Sequence, residues 1–246
     1  MKKIFAETVK IKIISNADIQ TMYELFEKYY ANTSKDKFIL DLKVKSSVIL
    51  LKCKRKKHII GFSTIKELEI EVEGKKVRSI FSGDTIIDSG YRGSTVFAIE
   101  FFKNIITHKL KAPFTPHYWF LISKGYKTYL ILTKNYCKYY PRYDKEIPSI
   151  EEKVLDSLGI TVFGECYNPK TKILKLTNPT DRLKVDVAPI NDKYLINPNI
   201  KFFVDSNPGW AQGDELCCIG KSDLSLVSTF IYRTARKLLI KKKTYM

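Results

Sequence analysis

The alternation of apolar and polar residues predicts that the chain opens with a strand followed by a helix. Residues 9–14 alternate apolar side chains with lysine, which is the period of a half-buried strand. Asn16 or Asp18 can then cap a helix, because the apolar residues that follow recur at helical spacing. They form one broad stripe of Ile19, Met22, Tyr23, Leu25, Phe26, Tyr29 and Tyr30. A short second helix is expected over residues 38–44.

Residues 48–87 are expected to form an antiparallel meander of three or four strands. The apolar, β-rich segments are residues 48–53, 58–65, 68–72 and 77–87, with turn-forming or basic residues between them. The last strand runs into Asp88-Ser89-Gly90-Tyr91-Arg92-Gly93-Ser94, and a packed helix is expected over residues 95–106. A strand, a glycine-bearing turn and a helix therefore follow one another directly.

The second half of the chain has weaker patterns. We expect a strand over residues 117–122, helices over 126–135 (with Ser123 as its cap) and 150–158, a hairpin with strands over 161–167 and 173–176, and a final helix over 224–240 with a cationic end. The turn-rich segment around Trp210 is either a structural corner or a substrate loop. We divide the chain into a core of residues 1–148 and a C-terminal extension of residues 149–246.

The turn before the predicted helix at residue 95 carries the chemistry. Backbone N–H groups at a helix start lack intrahelical acceptors, and the helix dipole adds positive potential there. Gly90 and Gly93 allow close approach of a ligand, Arg92 can bind phosphate oxygens, and Ser94 and Thr95 can add hydroxyl hydrogen bonds. An ordinary tight turn uses the same residues, but the position between a strand and an amphipathic helix favours a site for a pyrophosphate or a phosphopantetheine.

The order of elements and this turn together resemble the GNAT superfamily, the Gcn5-related N-acyltransferases. The resemblance covers residues 9–140, roughly three fifths of the chain. The family's turn reads Arg-Gly-x-Gly-x-Gly or Ala; this chain matches it at Arg92 and Gly93 but has Thr95 and Phe97 at the later small positions. The departure is compatible with a larger acyl donor, such as those of the related acyl-homoserine lactone and N-acyl amino acid synthases.

The resemblance implies a fold, an activity and a cofactor. The fold is of the α/β (α+β) class, with a GNAT-like mixed, mostly antiparallel sheet flanked by helices. The activity is transfer of an acyl group from a pantetheine thioester to a small-molecule amine. The donor is acetyl-CoA, a longer acyl-CoA, or the phosphopantetheine of an acyl carrier protein, which would then be a partner. The implied donor-binding residues are Ile87, Asp88, Arg92, Gly93, Ser94 and Thr95.

The resemblance also implies catalytic residues. The strand before the phosphate turn often carries a carboxylate base, a role that falls to Asp84, with Asp88 as the substitute. A tyrosine after the following helix often protonates the leaving sulfur, and Tyr139 and Tyr140 are the candidates. The residues themselves leave structural roles open: Asp84 can pair with a lysine or a loop, and either tyrosine can simply pack its ring, as most of the 15 tyrosines must.

Charge widens the choice of partner. The 246 residues include 43 Lys and Arg against 26 Asp and Glu, a net charge of +17, which favours anionic partners. These are coenzyme A phosphates, an acidic carrier protein, nucleic acid or an anionic membrane surface. Tyrosines and lysines interleave over residues 134–143, so a basic nucleic-acid-binding module is the nonenzymatic alternative, although no nucleic-acid-binding signature accompanies them.

Other classes are excluded by missing patterns. No window approaches the roughly 18–20 apolar residues that a membrane span requires. The first residues lack the pattern of a secretory signal, so we expect a cytoplasmic protein. Its cysteines, Cys53, Cys137, Cys166, Cys217 and Cys218, are expected to be reduced thiols. His117 can be a base or a structural residue, and no paired Cys/His spacing predicts a metal site.

Overall fold

Strands from both halves of the chain join one nine-stranded, mostly antiparallel sheet in the computed structural model, which describes residues 4–54, 58–92, 95–175, 182–183, 190, 192–223, 226 and 228. The strands are β1 (Ile4–Lys10), β2 (Tyr30–Ala31), β3 (Ser47–Cys53), β4 (Ile59–Val72), β5 (Lys75–Ile87), β6 (His117–Ser123), β7 (Tyr139–Tyr140), β8 (Tyr167–Asn168), β9 (Ile173–Leu174), β10 (Arg182–Leu183) and β11 (Glu215–Lys221). Their order in the sheet is β1-β3-β4-β5-β6-β11-β9-β8, with β7 also paired to β11; β10 and β2 form a separate pair.

Helices flank this sheet on both faces. They are α1 (Asn16–Tyr29), α2 (Lys35–Lys43), α3 (Thr95–Leu110), α4 (Tyr126–Asn135), α5 (Ser149–Phe163), α6 (Asp192–Leu195) and α7 (Pro198–Ser206). The predicted fold class, an α/β protein with a mixed, mostly antiparallel sheet flanked by helices, is confirmed. Among the described helices, none combines the length and hydropathy that crossing a bilayer demands.

Side-chain alternation along the strands divides the core between the two faces. Trp119 of β6 packs with α3 and α4 on one face, while its neighbour Phe120 packs against Leu155 and Leu158 of α5 on the other. Helices α1 and α2 cover the β3–β4 end of that second face, around Phe62. Period-two patterning thus places α3, α4 and α7 opposite α1, α2 and α5.

The meander predicted for residues 48–87 is confirmed, with one simplification. Strands β3, β4 and β5 pair antiparallel in sequence order. Two predicted strands, 58–65 and 68–72, form the single strand β4, because residues 66–71 stay paired with β5 throughout.

The predicted ends of several strands and helices are wrong. The first strand ends at Lys10, and Ile11–Ile13 form a 3₁₀ turn instead of continuing it. The cap of α1 is Ser15, whose hydroxyl accepts from the Asp18 N–H at 3.0 Å, and not Asn16 or Asp18. Gly125 caps α4 in place of Ser123, which is the last residue of β6.

The chain after residue 148 contributes a central strand. Strand β11 pairs antiparallel with β6 from Leu216↔Ser123 to Lys221↔Tyr118, so the sheet continues across the predicted boundary between core and extension. The pattern analysis did not predict β11. Helix α5 extends to Phe163 and absorbs the start of the predicted strand 161–167, leaving β8 and β9 as a short hairpin. The predicted final helix lies outside the described residues except for Leu226 and Ser228.

Candidate active site

The sheet opens as a fork between β5 and β6. These parallel neighbours pair from Arg78↔His117 to Ser82↔Leu121, after which β5 continues along β4 while β6 ends at Ser123. Residues 85–87 therefore pair with β4 on one edge, and residues 83–87 pair with no described strand on the other. Asp88 N–H donates to the Ile60 carbonyl of β4 at 2.9 Å, and since successive N–H groups point to opposite edges, that of Ile87 points to the open edge.

A bulge places Asp84 at the base of this fork. The β4–β5 register shifts between Ser63 and Ile65, opposite residues 82–85. Gly83 lies in the shifted segment, and a Cβ there would come within 2.6 Å of Thr64 Oγ1. The glycine is required for close packing at the bulge, and neither Gly83 nor the following residue, Asp84, has a register partner on β4.

Asp84 is a carboxylate suited to proton transfer. Burial raises its pKa to about 6, and the nearby Asp41 carboxylate adds to the rise. The ammonium groups of Lys124 and Lys45 oppose that rise. The carboxylate forms no hydrogen bond or ion pair with any other described residue, and the residue itself keeps partial exposure. A base of this strength, reachable by solvent, can accept a proton near neutral pH.

Two ion pairs flank Asp84. Lys45 Nζ lies 2.7 Å from Asp41 Oδ1, and Lys124 Nζ lies 3.4 Å from Glu215 Oε1. The lysine side chains are largely buried, at 6% and 17% exposure, and Glu215 retains 4%. From the sequence, Glu215 belonged only to the turn-rich segment around Trp210, which was interpreted as a corner or a substrate loop. The other three were not among the predicted site residues, because they lie in α2, just before β3 and just after β6.

Arg92 lies in the segment that connects β5 to α3. Its Nε donates to the Ile87 carbonyl at 3.4 Å, and its guanidinium stacks over the Tyr29 ring at 5.3 Å from the centroid. Asp88 instead accepts from Lys28 Nζ at 2.9 Å and from the Tyr29 hydroxyl at 2.8 Å. The Lys28 hydrogen bond holds the pKa of Asp88 low. Of the predicted donor-binding residues, Ile87 and Arg92 are therefore hydrogen-bonded to each other, whereas Asp88 is hydrogen-bonded to residues of α1.

A second cation approaches Arg92 from α4. Burial lowers the pKa of Lys127, and the neighbouring Arg92 guanidinium lowers it further. Lys127 stands in the first turn of α4, where the helix dipole disfavours a cation. Two cations that interact electrostatically can together bind an anion. The unfavourable dipole position of Lys127 was a signal in the sequence, but only the fold shows its proximity to Arg92.

The rest of the predicted phosphate turn is described in part. Thr95 is half-buried and begins α3. Gly93 and Ser94 lie outside the described residues.

The two candidate tyrosines point to opposite faces of the sheet. In β7 they pair with β11 as Tyr140↔Ile219 and Tyr139↔Gly220. Tyr139 is buried on the α3 and α4 face, where burial raises its pKa and its hydroxyl donates to Asn199 Oδ1 at 3.2 Å. Tyr140 packs on the α5 face. The structure does not bring them to one place, so at most one of them can serve the fork.

Other candidates are packed in the interior. Burial raises the thiol pKa of both Cys217 and Cys218, which keeps them protonated. In the segment of interleaved tyrosines and lysines, Tyr136 and Tyr139 are 3% and 5% exposed, so these two rings offer no surface on which bases could stack, whereas Tyr143 is 51% exposed. The described residues contain no cluster of three His, Cys, Asp or Glu able to hold a metal ion.

Comparison with known proteins gives remote structural similarity only. No protein-family model matches the sequence, and no curated protein matches it. Among solved structures, a probable N-acyltransferase from Enterococcus faecalis V583 aligns at 11% identity and TM-score 0.39, over 53% of this chain and 33% of that one. A GNAT family N-acetyltransferase (YhbS) from Escherichia coli in complex with CoA aligns at 11% identity and TM-score 0.36, over 50% and 64%.

A third similar structure is matched over nearly its whole length. Glucosamine-6-phosphate N-acetyltransferase from Arabidopsis thaliana aligns at 10% identity and TM-score 0.41, over 59% of this chain and 99% of that one. The first two matches span only a third and just under two thirds of the proteins concerned. The structural neighbours are GNAT N-acetyltransferases, and at these TM-scores the likeness is remote.

Proposed function

We propose that this protein is an N-acyltransferase that moves an acyl group from a pantetheine thioester to an amine. The fork carries the proposal: the edge of β5 that pairs with no described strand begins beside Asp84 and continues toward the start of α3. A reactive carbonyl placed at its base would lie beside a carboxylate with a raised pKa. The phosphates of the same carrier would lie at the other end of that edge.

The open edge and the cationic junction suit the two parts of such a donor. The amides of a pantetheine arm can hydrogen-bond to backbone groups of residues 83–87 as an added strand does. Arg92, just before α3, supplies positive charge near the N-terminus of that helix for pyrophosphate, and Lys127 is the cation of α4 that interacts electrostatically with Arg92. Either coenzyme A or an acyl carrier protein presents this arm, and the net charge of +17 suits both anionic carriers.

The reaction needs one proton taken up and one supplied. The amine nitrogen bonds to the thioester carbonyl carbon as its proton passes to Asp84, and the carbon–sulfur bond then breaks. The departing thiolate takes up a proton. Tyr139 and Tyr140 stay predictions for that donor, and the Tyr139 hydroxyl would first have to leave Asn199.

The free cysteines among the described residues fit the reducing cytoplasm in which we place the protein.

Calorimetric titration with acetyl-CoA tests the donor site. Replacing Arg92 with alanine (Arg92→Ala) removes a charge-assisted contact to phosphate, so affinity should fall by about tenfold or more. Lys103→Ala is the matched control, because Lys103 is a cation on α3 with a 69% exposed side chain and should leave affinity unchanged. Equal affinity of wild type and Arg92→Ala would remove Arg92 from the site.

The same titration separates the enzyme from the nucleic-acid-binding alternative. We expect wild type to bind acetyl-CoA and to bind a random oligonucleotide only weakly at physiological salt. Oligonucleotide binding that falls steeply with salt, together with no binding of acetyl-CoA, would overturn the acyltransferase proposal.

A further inference from the structure

We infer that Tyr29 of α1 is a positioning residue of the donor site, because it holds the turn after β5 and the Arg92 side chain where they can bind the donor's phosphates. The inference rests on the proposed function and names a residue, outside the predicted site, on which donor binding depends. Two contacts of the Tyr29 hydroxyl and one of its ring carry it, and they reach Asp88, Ser89 and Arg92.

The hydroxyl of Tyr29 holds the start of the turn. It donates to Asp88 Oδ1 at 2.8 Å and accepts from the Ser89 N–H, also at 2.8 Å. The Tyr91 N–H donates to the Asp88 carbonyl at 2.8 Å, so residues 88–91 form a tight turn whose first two residues are both hydrogen-bonded to α1. Because Tyr29 is 8% exposed, water cannot easily replace these bonds when the hydroxyl is removed.

The ring of Tyr29 supports Arg92. The guanidinium carbon lies 5.3 Å from the ring centroid, which is within the range of a cation–π contact. Arg92 Nε donates to the Ile87 carbonyl at 3.4 Å, whereas its two terminal nitrogens form no hydrogen bond with other described residues. Arginine can bind a phosphate through two parallel N–H groups, and a phosphate can reach those of the terminal nitrogens because Arg92 is exposed.

This support matters because Arg92 is a long side chain at the surface. An unrestrained arginine loses rotamer freedom when it binds a ligand, and that loss weakens binding. A guanidinium already held between the Tyr29 ring and the Ile87 carbonyl loses less. Asp88, whose negative charge would repel a phosphate, is hydrogen-bonded to Lys28 and Tyr29 of α1. Tyr29 should therefore affect binding of the phosphates and not of the pantetheine arm.

Two donors that differ in their phosphates test the inference. Acetyl-CoA carries the pyrophosphate, whereas S-acetylpantetheine has the same thioester arm and no phosphate. In calorimetric titrations, Tyr29→Leu should raise the Kd of acetyl-CoA by about fivefold or more, since it removes both the ring and the hydroxyl. The Kd of S-acetylpantetheine should change by less than about twofold. Tyr29→Phe keeps the ring, so its loss should be smaller and again confined to acetyl-CoA.

Tyr23→Leu is the matched control, because Tyr23 is equally buried on the same helix but its hydroxyl donates to Glu27 of that helix. It should weaken the packing of α1 and leave both Kd values at their wild-type levels. An unchanged Kd of acetyl-CoA in both Tyr29 variants, or an equal loss for the two ligands, would overturn the inference, as would an equal loss in Tyr23→Leu. If wild type itself did not bind acetyl-CoA, the proposed function would be refuted instead.

Discussion

Burial and partners distinguish two aspartates that look alike in the sequence. Asp84 and Asp88 both lie at the end of β5, and either fits the role of a base. Asp88 is tied to Lys28 and Tyr29, which lowers its pKa, whereas Asp84 sits in a buried cluster that raises its pKa to about 6. Environments that push two carboxyl pKa values apart assign the acid–base role to one of them. We therefore propose Asp84, and not Asp88, for that role.

The pH dependence of the rate tests this assignment. A base must be ionised to accept a proton, so kcat/KM should rise with pH through about pH 6, the pKa of Asp84, and then level off. Asp84→Asn should lower the rate by about 10²-fold or more and abolish this limb. It should also melt at a higher temperature than wild type, because the raised pKa means that the ionised carboxylate costs stability at pH 7.

The matched control for that experiment is Asp205→Asn. Asp205 lies on α7 with a side chain 58% exposed, and it pairs only with Lys201 of the same helix in the described contacts. The control should keep both the rate and its pH limb. If kcat/KM still rose with pH in the same way in Asp84→Asn, the group that titrates would be a residue other than Asp84.

Between elements, α3 and β6 are joined by a buried chain of hydrogen bonds. An Arg78 NH2 group, which can only donate, lies 2.9 Å from His108 Nε2, so this nitrogen accepts and the His108 proton is on Nδ1. That Nδ1 is 2.6 Å from His117 Nε2, which must accept in turn. His117, which the sequence left as either a base or a structural residue, is thus placed at the end of a neutral relay far along β6 from the fork.

This relay makes stability sensitive to acid. Burial lowers the pKa of His117 to about 3 and also lowers that of His108, with Arg78, Lys109 and Lys111 adding to the effect and Glu67 opposing it at His108. Below about pH 6.5 the unfolded chain binds protons that the folded chain does not, so stability falls as pH drops. His117→Gln keeps an acceptor for His108 and removes one such group. When the pH falls from 7 to 5, the free energy of unfolding should decrease in both proteins. The decrease in His117→Gln should be smaller than in wild type by up to about 2 kcal/mol.

Urea unfolding at pH 7 and pH 5 measures this difference. His58→Gln serves as its control, because it makes the same replacement at an exposed histidine and should follow the wild-type curve. If the free energy of unfolding changed equally in wild type and His117→Gln between pH 7 and pH 5, the prediction that His117 resists protonation would be wrong.

For the molecule as a whole, the central sheet depends on the chain beyond residue 148. Strand β11 covers the edge of β6, and Phe203, Leu216 and Cys218 are fully buried in the core that includes α3 and α4. Removal of these residues exposes a central strand edge and opens the core. The division into residues 1–148 and 149–246 can therefore be tested by truncation.

A chain that ends at residue 148 should not melt cooperatively. Thermal unfolding followed by circular dichroism would compare it with the full chain, which should show a single sigmoidal transition. A cooperative transition in the fragment at a similar temperature would instead support an independent core over residues 1–148.

Residue spacing alone was enough to predict most local elements. The stripe in α1, the apolar, β-rich segments of β3 to β5 and the strand–turn–helix order around Arg92 depend on neighbours within a few positions, and they are found in the structure. The pattern missed β11 because a short, fully buried strand shows no alternation, and the turn-rich residues before it dominate the local signal.

The properties of the site depend on distant parts of the chain. The pKa of Asp84 is set first by burial and then by charged residues from α2, from the segments beside β3 and β6, and from β11. The pKa of Lys127 in α4 is likewise affected by Arg92, which is distant in sequence. Burial and charge proximity are three-dimensional quantities that no local pattern encodes. The residue types at the fork were therefore readable from the sequence, but which carboxylate can act as a base, and which charges surround it, followed only from the folded sheet.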